Sequence, residues 1–544
     1  MEFFRANGTN LDSFLSHTFV TVISLRPPEK NMRKAKVLID RDFTIGHTDP
    51  RLFGAFIEHL GRCVYGGIYE PGHPSADERG FRKDVLALVK ELGPTLVRYP
   101  GGNFVSGYNW EDGVGPLETR PARLDLAWFS TEPNSFGTNE FMDWCRAADV
   151  APMMAVNLGT RGGDAARNLV EYCNHPGGTA WSELRRKHGW QTPHGIKLWC
   201  LGNEMDGPWQ IEQKNAAAYG AVAREAAKMM RWVDPTIELA ACGSSLRNMP
   251  SFGQWEETVL EHTFDYVDYI SIHTYLENYS QDTASFLAST DLMDSFIDEV
   301  VVLADAVAAK RRSKKRLMLS FDEWNVWYRT RNEVAPVVDR WPVAPPILEE
   351  IYTMEDALAF GGACISLLNH ADRVKVACLA QLVNVIAPIM TKTGAGAWRQ
   401  TIFFPFAHMS RFGRGRILRA QVESEAYYAS HNNPDGRPAE TFLVPDVPYL
   451  KIAAVAEQGG GLSLFLLNRD LKQEMEVSVE ARSFGPLTVH ERLELRHDDL
   501  MAANTENTPD KVKPAPLQSV AFDRGRLQAR LKPASWNVIY LAAD

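Results

Sequence analysis

From about residue 50 to residue 410 the chain alternates eight short, nearly continuous apolar runs with longer stretches of helical period, and this alternation limits the fold more than any other feature. The runs are LFGAFIEH from Leu52, TLVRYP from Thr95, APMMAVNL from Ala151 and IKLWCLGNE from Ile196. They continue with IELAACGSS from Ile237, YISIHTY from Tyr269, RLMLSFDEW from Arg316 and RVKVACLAQL from Arg373. Apolar residues at consecutive positions are the signature of a parallel strand covered on both faces. Between the runs, Val85, Leu88, Val89 and Leu92 fall at i, i+3, i+4 and i+7, which predicts a helix with one apolar face. Further helices are expected over about 214–233 and 349–368. Eight strands alternating with helices predict an α/β chain built on a (β/α)8 barrel. A doubly wound open sheet is the competing arrangement, but it seldom needs eight such regular units.

The texture changes after about Arg416. LKIAAVAE, LSLFLLN, MEVSVEA, TVHERLEL, RLQARL and WNVIYLA are short, β-rich and separated by Gly, Pro, Asn or Asp, which predicts an all-β sandwich. KAKVLIDRDFT, from Lys34, alternates like a strand and is expected to complete that sandwich from the other end of the chain. The expected division is therefore an N-terminal strand over 32–49, a barrel over 50–415 and a sandwich over 416–544. Residues 1–31 do not read as a secretory signal. Ser16, His17, Thr18 and Thr21 interrupt the apolar stretch, and only Arg5 precedes it. They read as a disordered or over-long extension, with Met32 the natural beginning.

Composition matters mainly for what it excludes. A net charge of −10 argues against a nucleic-acid partner, which needs clustered cations to neutralise phosphates. The one basic cluster, Lys310 to Arg316, follows a helical stretch, where cations meet the negative end of the helix dipole. No apolar run reaches the roughly 18 residues of a membrane span. The 7 cysteines are odd in number and form no CxxC pair, so neither a disulfide framework nor a structural zinc is expected, and the compartment reads as reducing and cytoplasmic. HExxH, GxxxxGK[ST] and GxSxG are absent, and LGTRGGDAARN, from Leu158, lacks the GxGxxG spacing. His59, His194 and His273 form no ligand-spaced cluster, so no metal or cofactor is expected.

In a barrel of this kind the chemistry sits at the C-terminal ends of the strands. Two carboxylates stand there: Glu204 closes the fourth run and Glu323 the seventh. Asn-Glu occurs at Asn139-Glu140, Asn203-Glu204 and Asn332-Glu333, but only Asn203-Glu204 ends an apolar run. Strands four and seven face one another across the mouth of an eight-stranded barrel. Two carboxyl groups across a sugar-sized gap are the machinery of glycoside hydrolysis, one protonating the leaving oxygen and the other attacking or activating water. Aspartic-protease chemistry also uses two carboxyls, but its Asp-Thr/Ser-Gly setting is missing. An endoglucanase, a β-xylosidase and a non-catalytic carbohydrate-binding protein remain open at this point.

The sequence resembles glycoside hydrolase family 51, the α-L-arabinofuranosidases. The resemblance covers about Arg33 to the end and is densest in FIEHLGRCVYGGIYEPGHP, VRYPGGNFVSGYNWEDGVGP, LGNEMDGPWQI, DEWNVWY and HADRVKVACLAQLVNVIAPI. It implies Glu204 as acid/base and Glu323 as nucleophile of a retaining double displacement. Asn203 matches the residue that bonds the sugar 2-hydroxyl, and Glu58 and Asn103 match residues that hold the arabinofuranose hydroxyls. Arg98 matches an arginine beside the nucleophile, Tyr275 a tyrosine near it, Gln381 an amide of the sugar pocket and Trp128 an aromatic lining it. Trp324 and Trp327 are further stacking candidates, and His59, Arg62 and Asp206 supporting ones. The resemblance also implies arabino- and arabinoxylo-oligosaccharides as substrates and a homo-oligomer, often a hexamer. Glu212 departs from the family, standing where a glycine is expected, and HTYLENYSQ replaces a Gly-containing loop. Both departures are expected to bear on the aglycone side.

Overall fold

The computed structural model describes residues 32–328, 341–432 and 441–543, so the expected extension over 1–31 lies outside the described residues. Strand β1 (Arg33–Leu38) turns Ala35 and Val37 inward and Lys34 and Lys36 outward, as its alternation requires. It pairs in parallel with Met475–Glu480 and antiparallel with Gln421–Ser424, within a five-stranded sheet. The sequence suggested a single N-terminal strand, but there are two. The Asp40 carboxylate and carbonyl accept from the backbone of Asp42 and Phe43, which turns the chain, and β2 (Thr44–His47) joins the opposing seven-stranded sheet. The two sheets enclose a core of Val37, Leu464, Val477, Leu527 and Ile539.

The barrel begins with β3 (Gly54–Phe56) and β4 (Leu96–Tyr99), followed by an inserted hairpin of β5 (Arg123–Asp125) and β6 (Ser130–Glu132). It continues with β7 (Ala151–Ala155), β8 (Leu198–Leu201), β9 (Glu238–Cys242), β10 (Tyr269–Leu276), β11 (Met318–Val326) and β12 (Val374–Leu379). Apart from the hairpin, these are the eight apolar runs, and all eight pair in parallel into a closed barrel. The interior is packed with Phe56, Met153, Leu198, Cys200, Val376 and Cys378. All 7 cysteines are free and buried.

Helix ends fall where the chain can satisfy its first free N–H groups. The helix expected to begin at 214 begins at Ala216, because the Asn215 side chain accepts from Ala218 N–H. The helix expected over 349–368 spans Met354–Asn369, entered through a capping box of Thr353 and Asp356. The four residues before this cap, starting at Glu349, belong instead to a loop over the barrel mouth. Helix Thr283–Lys310 ends in the basic cluster, where Lys310 pairs with Glu257, Arg311 with Asp265, and Lys315 donates to the carbonyls of Phe264 and Val267. The same helix docks the sandwich: Asp291 accepts from Lys451 at 2.7 Å and from Arg469 at 2.5 and 3.0 Å. Among the described residues no helix is long and apolar enough to cross a membrane.

Candidate active site

The fourth barrel strand, β8, ends at Leu201, and the chain passes through Gly202 and Asn203 to Glu204, whose φ of 43° lies in the left-handed region. A non-glycine residue held there is strained, a feature that clusters at functional sites. Glu323 lies within β11, the seventh barrel strand, in register with His273 of β10. Nδ1 of His273 and one oxygen each of Glu204 and Glu323 all lie within 4.8 Å of one another. The two carboxyl groups therefore face one another at close range.

One buried cation ties both sides of this gap. Arg98 of β4 donates from Nη1 to Glu323 at 3.0 Å and from Nη2 to the Asn203 side-chain oxygen at 2.6 Å. Its guanidinium lies 4.4 Å above the Phe56 ring. On its other oxygen Glu323 accepts from the Tyr275 hydroxyl. His273 bridges in a second direction, from Glu204 at 3.0 Å through Nδ1 to Asp322 at 2.9 Å through Nε2. Burial disfavours the imidazolium, yet Glu323, Asp322 and Glu204 outweigh it and raise the ring pKa to about 10. Burial also opposes charge on Asp322, but Arg98 and His273 hold its carboxyl below the usual range. For Glu323, burial dominates and the shift is upward, with His273, Arg98 and Tyr275 pulling towards the carboxylate. The second oxygen of Glu204 accepts from the Trp209 indole at 2.5 Å.

Beside the pair is a polar wall centred on Glu58. One of its oxygens accepts from Phe104 N–H and the Trp128 indole, both at 2.9 Å. The other accepts from the Gln381 amide at 3.1 Å, and Gln381 accepts in turn from Glu58 N–H. Burial, with Glu323 nearby, pushes the Glu58 carboxyl up to about 8, so it is largely neutral at pH 7. Gly102 makes this wall possible: a Cβ there would lie 2.2 Å from a Glu58 oxygen. Asn103 accepts from the Asn203 amide at 3.3 Å.

These groups surround a cavity of about 470 Å³, within the range that holds a small ligand. Glu58, Asn103, Trp128, Glu204, Tyr275, Glu323 and Gln381 line it, while Arg98 and Asn203 lie beneath, each 1% exposed. Trp327 lines the cavity, whereas Trp324 is buried against Phe360. His59 bonds Glu132 and Tyr99, and Asp206 accepts from Ser245, so both brace loops away from the gap. Of the two departures from the family pattern, HTYLENYSQ contributes Tyr275 to the cavity lining, whereas Glu212 does not line it. The φ of 59° at Glu212 is why glycine suits that position. A larger hollow of about 720 Å³ is lined by Asp206, Pro208, Lys214 and Met249, and neither carboxyl of the pair lines it.

Residues 88–288 match the α-L-arabinofuranosidase 1 domain, and residues 322–535 the α-L-arabinofuranosidase C-terminal domain. An intracellular exo-α-(1→5)-L-arabinofuranosidase of Halalkalibacterium halodurans is 56% identical, over 93% of this chain and 99% of its own. The chain belongs to glycoside hydrolase family 51, the α-L-arabinofuranosidases. A protein of the same description from Bacillus subtilis is 53% identical, over 94% of this chain and 99% of its own. The solved structure of AbfB, a family 51 α-L-arabinofuranosidase from Bifidobacterium longum, superposes with a TM-score of 0.86 at 42% identity, covering 93% of this chain and 99% of that one.

Two residues of this family 51 site, His273 and Asp322, were not singled out from sequence as part of the site. His273 stands two positions before Tyr275, so strand alternation puts both on one face. Asp322 and Glu323 are adjacent acids inside an apolar run, and buried carboxylates need cations. Both signals were present, but neither names its partner. The raised pKa of His273 favours a protonated ring that donates to Glu204 on one side and to Asp322 on the other.

Proposed function

We propose that this glycoside hydrolase is a retaining, exo-acting α-L-arabinofuranosidase, releasing terminal α-L-arabinofuranosyl residues from arabino- and arabinoxylo-oligosaccharides. The observation that carries the mechanism is the approach of Glu204 and Glu323 oxygens to within 4.8 Å. Retention calls for carboxyl groups about 5–5.5 Å apart, whereas inversion needs about 6.5–9.5 Å to admit a water.

In this reading Glu323 attacks the anomeric carbon while Glu204 gives its proton to the leaving oxygen. The Glu204 carboxylate left behind is stabilised by His273, itself held charged by Asp322. Water then attacks the glycosyl-enzyme, its proton passes to Glu204, and Glu323 leaves. Arg98 supports the ionised nucleophile, and its bond to Asn203 orients that amide towards the sugar 2-hydroxyl. The neutral Glu58 carboxyl can both donate to and accept from sugar hydroxyls, with Gln381, Asn103 and Trp128 completing the wall. The names of the relatives favour (1→5) linkages and a cytoplasmic setting, and the family resemblance a homo-oligomer such as a hexamer, which sedimentation would measure.

Glu323→Ala should abolish turnover, with azide rescuing it to the inverted β-arabinofuranosyl azide. Glu204→Ala should lose about 10²–10⁴-fold on natural linkages and less on aryl arabinofuranosides with good leaving groups. Proton NMR of the first product distinguishes retention from inversion. An inverted first product from the unmodified enzyme would overturn the mechanism, and preferential cleavage of cellulose or β-xylosides would overturn the substrate.

A further inference from the structure

An exo-acting pocket needs a wall where the next sugar of an internal residue would lie. Trp209 stands on Glu204, the proton donor to the leaving group in the proposed mechanism, and so marks the leaving-group side of the cavity. The lining also holds the apolar residues Leu60, Leu348 and Ile386. Leu60 lies two residues after Glu58, and Ile386 five after Gln381. Leu348 comes from the separate loop that precedes helix Met354–Asn369.

That loop is held by partners outside it as well as by its own turns. Leu348 is 5% exposed and has a φ of 56°, a conformation that needs support from its surroundings. Its carbonyl accepts from Ile386 N–H at 2.8 Å. The next residue, Glu349, takes both its carboxylate oxygens to Arg62, at 2.6 Å from Nε and 3.0 Å from Nη2. Arg62 also donates to the Thr391 carbonyl at 3.0 Å, and its own carbonyl accepts from the Asn384 amide at 2.9 Å. A single guanidinium thus joins the loop after β3, the loop carrying Leu348 and the loop after β12. The pair is mostly enclosed, with side chains 15% and 21% exposed, and a bidentate fork fixes orientation as well as distance.

We propose that the Arg62–Glu349 pair is an exo-determining clamp: it pins Leu348 against Ile386, closing the pocket to any sugar beyond the terminal arabinofuranosyl unit. Neither residue of the pair lines the cavity. They act on specificity by positioning Leu348, and the inference rests on the exo-arabinofuranosidase reading above.

The test compares linear α-(1→5)-arabino-oligosaccharides with the same chains capped at the non-reducing O5, together with an aryl arabinofuranoside. The unmodified enzyme should cleave the uncapped chain and the aryl substrate and leave the capped chain almost untouched. Arg62→Ala and Glu349→Ala should keep aryl kcat within about threefold while gaining on the capped chain by about 10–200-fold, the range that space for a small group in an apolar pocket commands. The double variant Arg62→Glu with Glu349→Arg should recover discrimination lost in Arg62→Glu, which loss of fold would not do. Variants that keep aryl turnover and still reject the capped chain as strongly as the unmodified enzyme would overturn the clamp. An unmodified enzyme inactive on both the aryl and uncapped substrates would overturn the parent reading, and the clamp with it.

Discussion

At the scale of single residues the site is governed by burial, and Glu58 shows its cost most plainly. Its carboxyl moves from about 4.5 when unfolded to about 8 when folded. Between those values the folded chain holds a proton that the unfolded chain has lost, so stability falls as pH rises through the interval. His273, raised to about 10, gives the same sign from about 6.5 upward. Glu58→Gln should therefore flatten the decline in melting temperature between about pH 4.5 and 8 and leave the decline above pH 8. Calorimetry across that range checks it, and an unchanged slope would show that Glu58 ionises freely.

At the scale of elements, the sharpest test is the turn after β4. Gly102→Ala puts a Cβ into the space of the Glu58 carboxyl, displacing the group on which Trp128, Gln381 and Phe104 N–H converge. Overpacking of this kind costs about 1–3 kcal/mol, and a displacement near 1 Å costs on the order of 10²-fold in activity. Kinetics with an aryl substrate beside denaturant unfolding would separate the two effects. The eight barrel strands were legible because each is sealed on both faces and so reads as an unbroken apolar run. Placing Glu204 and Glu323 needed only the strand ends. The start of helix Met354–Asn369 was not legible, because Glu349 to Tyr352 suit a helix by residue type, yet Glu349 turns to pair with Arg62 and Thr353 supplies the cap. Nor was the link from His273 to Asp322, which joins neighbouring strands through space.

For the molecule as a whole, barrel and sandwich are held together by buried charge as well as by apolar packing. Arg469, 1% exposed, has Asp291 as its carboxylate partner, and Lys451 donates to both Asp291 and Asp294. Removing one member of a buried pair costs about 3–5 kcal/mol, so Asp291→Ala should lower the melting temperature well beyond a surface substitution. The Asp291 carboxyl is held below its usual range by these cations, so its stabilisation is present above the unfolded pKa near 4 and is lost in acid. The difference between variant and unmodified protein should shrink as pH falls below about 4. A calorimetric series from pH 3 to 7 checks both statements, and an equal melting temperature at pH 7 would refute the first.

Arg98 has one more consequence, and it concerns heat. Because one guanidinium spans from β4 to Glu323 of β11 and to Asn203 beyond β8, those two groups stay in place as long as the barrel stays closed. Heat should part them only as the barrel itself opens, so this contact and the fold should be lost at one temperature.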